Sequence, residues 1–127
     1  MKKYRWLNRR VAKQGPYLTL CLTEEEQRHA LRGLTKSNVK FPVTGALCTT
    51  MHNEKTDELC AVVSVSQHSQ DMCNAIEMAG LLVHEAVHIW QQHSTDMGET
   101  NPGAEQEAYA IQAISQELLA EYARRIS

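Results

Sequence analysis

No apolar run in this sequence approaches the roughly 20 residues that a membrane-spanning helix needs, so no such helix is expected. The first ten residues carry Lys2, Lys3, Arg5, Arg9 and Arg10, but the apolar stretch of a secretory signal does not follow them. The four cysteines, Cys21, Cys48, Cys60 and Cys73, are widely spaced and form no C-x-x-C pair. They read most simply as small buried thiols in a reducing cytoplasm, which is the expected location. A Cys48–Cys60 disulfide across a hairpin, or a cysteine masking a metal, stays open as a lesser reading. Repeats, low-complexity stretches and long linkers are all missing. One domain spanning residues 1–127, with a single modest core, is therefore expected.

Acidic and basic residues nearly balance, at a net charge of −2, but residues 1–13 hold six of the thirteen Lys and Arg side chains and no acid. Such a run can contact nucleic acid or a partner. It also fits the solvated face of a short helix or arm, because Tyr4, Leu7 and Val11 stand at helical spacing, and this reading is preferred. The rest of the chain is acidic and shows no aromatic–basic groove, so no nucleic-acid partner is expected.

What the chain does contain is His84-Glu85-Ala86-Val87-His88, an H-E-x-x-H motif. Residues 71–93 place Ala75, Ile76, Ala79, Leu82, Val83, Ala86 and Trp90 at helical intervals, with Asp71 as the expected N-cap. On a helix His84 and His88 share one face, four residues apart. Two imidazoles so placed can grip one metal ion, and Glu85 is within reach of a water bound to it. A largely apolar helix buries such groups at a cost unless they have partners, and a metal is one. The metzincin extension is absent, since Gln91 and Ser94 stand where its glycine and third histidine belong. His93, five residues past His88, points elsewhere on the helix.

A second helical pattern runs over about 104–125 and opens with Glu105-Gln106-Glu107-Ala108-Tyr109. With sixteen residues between His88 and Glu105, this pair of motifs resembles the gluzincin metallopeptidases, and the short chain is similar to their minimal form, the minigluzincins. The resemblance covers residues 84–109, about a fifth of the chain. It implies a zincin-like α+β fold and one zinc ion per chain, held by His84, His88 and Glu105. It further implies Glu85 as general base and a peptide or extended protein segment as substrate. Tyr109 stands where many members have an aspartate that orients a ligand histidine, and Gln112 continues that face as a substitute. Glu107 is the rival third ligand; two positions from Glu105, it lies on another face, so one regular helix cannot supply both. For the oxyanion, Tyr109, Tyr122, His68 and His93 are the candidates. Gly80, one turn before His84, either admits a close neighbour or is a tolerated helix glycine.

The remaining pattern is that of a small α+β domain with a short sheet containing antiparallel strands. Residues 17–23 alternate as a strand, and Thr23 with Glu26 forms a capping box opening a helix to about residue 34. Residues 45–53 and 58–66 read as a hairpin. An edge strand of that hairpin would bind an extended peptide by β-augmentation, although the pattern does not say which strand lies outermost. Two other functions compete with hydrolysis: a non-proteolytic, zinc-stabilised interaction module, and a metal-free helical interaction protein carrying the motif by coincidence.

Overall fold

The computed structural model describes residues 2–7, 17–99 and 101–127. In chain order the elements are β1 (Tyr17–Cys21), α1 (Glu24–Leu31), β2 (Ala46–His52), β3 (Leu59–Val65), α2 (Gln67–Met72), α3 (Ala75–Asp96) and α4 (Ala104–Ile126). The architecture is α+β: a three-stranded mixed sheet of order β1-β3-β2 with four helices. β3 pairs with β1 in parallel and with β2 in antiparallel register, Cys48 lying opposite Val63.

The sequence pattern predicts β3 as one arm of a hairpin, and all seven of its residues are buried. The reason is cover on both faces. Ala61, Val63 and Val65 join Leu18, Leu20 and Leu22 in a core completed by Met78, Leu82, Ala86, Ile89 and Trp90 of α3 and by Ile114 and Leu118 of α4. On the other face, Val62 and Cys21 pack against Ala30 and Leu31 of α1. Small side chains at Cys60, Val62 and Ser64 allow α1 to lie close.

The helix expected over 71–93 is two helices. Asp71 lies inside α2, and the N-cap of α3 is Asn74. Its side chain accepts from the Glu77 N–H, while Glu77 Oε1 accepts from the Asn74 N–H, satisfying two orphan donors at once. At the other end Gly98 adopts φ +78°, and the Glu99 and Gly98 N–H groups return to Ser94 and Thr95 carbonyls. That is a Schellman stop, which glycine enters without a Cβ clash. α1 also ends early, at Leu31, because Arg32 is already extended.

Residues 2–7 are not the expected helical arm. Trp6 bridges antiparallel to Thr19 and the Leu7 N–H donates to Leu18 O, which covers the outer edge of β1. Val11 lies outside the described residues. Arg125, with 0% of its side chain exposed, fastens this segment by donating to Lys2 O, to Leu20 O at 3.1 Å and to the Glu26 carboxylate. Beside it, buried Glu121 pairs with Arg124 and, at 3.2 Å, with Arg5. With β1 covered, β2 is the strand whose outer edge has no strand neighbour among the described residues, and it lies against α3. All four cysteines are free thiols, so no Cys48–Cys60 disulfide forms. No helix among the described residues is long and apolar enough to cross a membrane.

Candidate metal centre

The capping box of α3 fixes where its turns begin, and its apolar stripe of Met78, Leu82, Ala86 and Ile89 fixes which side faces the core. His84 and His88 are thereby turned outward on one face. Their Nε2 atoms are 3.1 Å apart, and the rings meet edge to face with centroids at 4.7 Å. Zinc–nitrogen bonds of about 2.0–2.1 Å drawn to two nitrogens so spaced would subtend about 98°, near the tetrahedral angle. The pair therefore fits two corners of a zinc site.

Glu85, one position round the helix, lines the same side of β2 as the histidines and is only 3% exposed. Burial pushes its carboxyl above the ordinary glutamate range, against the smaller downward pull of His84 and His88. A carboxyl of that kind is suited to accept and return a proton. Beside it on β2, burial and then the Glu85 charge push the Cys48 thiol up to about 12, so it stays protonated near neutrality.

These groups line an open cavity of about 480 Å³ between β2 and α3. Ala46, Leu47, Cys48 and Thr50 supply the strand wall, and His84, Glu85, His88, Gln91, Gln92 and Thr95 the helix wall. Just beyond Thr50 and Thr95, His52 Nε2 meets Asp96 Oδ1 at 2.8 Å and ties the ends of β2 and α3 together. The lining carries no lysine or arginine, and its neutral polar character comes from amides and hydroxyls.

The acids of α4 are arranged differently from the histidines. Glu107 accepts from Trp90 Nε1 at 3.2 Å, while Glu105 is exposed on the first turn. Among the described residues, no three His, Cys, Asp or Glu side chains are grouped to hold a metal, so Glu105 is not gathered with the histidines. Tyr109 is 67% exposed, Gln112 is exposed too, and neither lines the cavity or hydrogen-bonds to His84 or His88. The proposed oxyanion donors also sit away from the cavity lining: His68 on α2, Tyr122 near Cys73, and buried His93 against Trp90. Around Gly80 there is open space, so the tolerated-glycine reading applies. Gln91 is the residue that sequence reasoning missed. Its Oε1 lies 3.3 Å from His88 Nδ1, and the three-residue helical spacing was the available signal.

On the far side of the sheet, Tyr4 and Trp6 come together with Lys3, Arg5, Arg28 and Arg32 around a cavity of about 870 Å³. This aromatic–basic grouping was not legible in the sequence. Glu25 and Glu26 share the cavity and Glu121 takes Arg5, which offsets much of its charge. Against known proteins, the chain matches no family model, no curated protein and no solved structure.

Proposed function

We propose that the chain is a small zincin-like, zinc-dependent metallopeptidase acting on peptides or extended protein segments. The observation that carries this reading is the convergence of His84 and His88 Nε2 at 3.1 Å beside a buried glutamate, in a cavity walled by an edge strand. Glu105 is the proposed third ligand. Its carboxylate is exposed on the first turn of α4, whereas the rival Glu107 is already engaged by Trp90. Zinc, when bound, would supply a Lewis acid that polarises a carbonyl and lowers the pKa of water. Glu85 would take the proton of the attacking water and return it to the leaving amine. The free edge of β2 would align an extended substrate through main-chain hydrogen bonds.

The second reading is a zinc-stabilised module that binds a partner without cutting it. It is favoured by the lack of a third grouped ligand among the described residues. Elemental analysis of the wild type, His88→Ala, Glu105→Ala and Glu107→Ala, followed by peptide-library cleavage with wild type and Glu85→Gln, separates the two. Hydrolysis predicts one zinc per wild-type chain, lost in His88→Ala and in one α4 variant, which names the third ligand. Glu85→Gln should keep zinc and lose at least about 100-fold in rate. Zinc retention without any cleavage supports the binding module. No zinc in the wild type after incubation overturns both readings.

A further inference from the structure

We propose that Gln91 is a positioning residue that holds His88 in the tautomer able to bind a metal. The inference rests on the metallopeptidase reading and concerns a side chain that the motif does not include. A neutral imidazole has one N–H and one lone pair, so the partner of one nitrogen decides the role of the other. Gln91 Oε1 faces His88 Nδ1 at 3.3 Å. With the amide oxygen in that place, which only accepts, Nδ1 carries the proton and Nε2 is left bare. In water an unpartnered histidine side chain favours the opposite tautomer, with the proton on Nε2, which is unfit for ligation through Nε2.

The rest of the local network agrees in direction. His84 Nε2 lies 3.1 Å from His88 Nε2. Two bare nitrogens would repel at that distance, so in the metal-free chain His84 Nε2–H donates to the bare His88 Nε2. Protons thus run one way, from His84 to His88 to Gln91. Tyr109 and Gln112, expected to orient a ligand histidine, make no hydrogen bond to either ring. Gln91 needs no distant element to reach its place, because it is one turn along the same helix and lines the same cavity.

The test reads the tautomer without relying on turnover. Long-range proton–nitrogen NMR correlations of the metal-free full chain, at about pH 8.5 where ordinary imidazoles are neutral, report which His88 nitrogen is protonated. Wild type should show Nδ1–H, Gln91→Leu should shift towards Nε2–H, and Gln91→Glu, whose carboxylate also accepts, should restore Nδ1–H. Zinc competition with a chelating dye should then show affinity about ten-fold weaker in Gln91→Leu. An Nε2–H signal in the wild type, a tautomer unmoved by Gln91→Leu, or unchanged zinc affinity after the tautomer has moved would each overturn the role. Failure of the wild type to take up zinc, with the tautomer shifting as expected, would instead sink the metallopeptidase reading.

Discussion

Replacing Arg125 with methionine tests whether the buried guanidinium is a structural keystone. Its side chain is 0% exposed and it donates to Lys2 O, Leu20 O and the Glu26 carboxylate, joining the N-terminal segment, β1 and α1. Methionine fills much of the space but supplies no donor. Removing one partner of a buried ion pair typically costs about 3–5 kcal/mol, because the other charge stays behind. Glu26 is 18% exposed and keeps the Leu22 N–H at 2.9 Å, so water and backbone soften the loss and the lower end, about 3 kcal/mol, is expected. Unfolding entropy near 2.1 cal/mol/K per residue converts that to a Tm about 11 °C lower for 127 residues. Urea titration gives the free energy directly, and Glu26→Gln/Arg125→Met completes a double-mutant cycle. Glu26→Gln keeps an acceptor for Leu22 and removes the stranded charge, so the double variant should recover at least about 1 kcal/mol relative to Arg125→Met. A single variant within about 0.5 kcal/mol of wild type, or a strictly additive cycle, would refute the reasoning.

Two further outcomes concern single positions. Gly80→Ala should stabilise the chain by about 0.5–1 kcal/mol, raising Tm by about 2–4 °C, because an added methyl meets open space and glycine costs a helix backbone entropy; a lower Tm by calorimetry would show that the site needs glycine. Burial, with a smaller push from Glu26, raises the Cys21 thiol to about 12. The folded state therefore holds a proton that the unfolded chain releases near pH 9. Stability is full below pH 9 and falls as pH rises towards about 12, by at most about 1.4 kcal/mol per pH unit from this group. Cys21→Ala should be less stable at neutrality yet lose less between pH 8.5 and 10.5 in urea titrations; an unchanged slope would exclude the thiol as its source.

The parts of the fold written in local spacing were legible. Four-residue spacing on a helix brings His84 to His88, and alternation bounded by turn residues located β2 and β3 within a residue or so. The division between α2 and α3 was hidden because Asp71 also offered an N-cap ahead of the apolar periodicity that begins at Ala75, although Asn74-x-x-Glu77 was a readable cap. Helical spacing at Tyr4 and Leu7 lost to a long-range pairing, Trp6 with Thr19, that no local pattern reveals. The burial of β3 on both faces depended on where α1 would dock. Likewise, no spacing rule fixes how the connection after Gly98 aims the first turn of α4 and its two acids, Glu105 and Glu107.

The residues lining the candidate metal cavity all fall between Ala46 and Thr95. Its walls, on β2 and α3, stand 34 to 49 positions apart along the chain. The Arg125 clasp, by contrast, joins residues 99 to 123 positions apart. Chain-closure entropy makes a contact across 99 residues about 0.8 kcal/mol costlier to form than one across about 40. The cavity is thus held by contacts closer along the chain than those of the clasp. Partial opening should begin where the two ends of the chain meet, leaving the hairpin and α3 intact, so the histidine pair can persist through fluctuations that release α1 and the N-terminal segment.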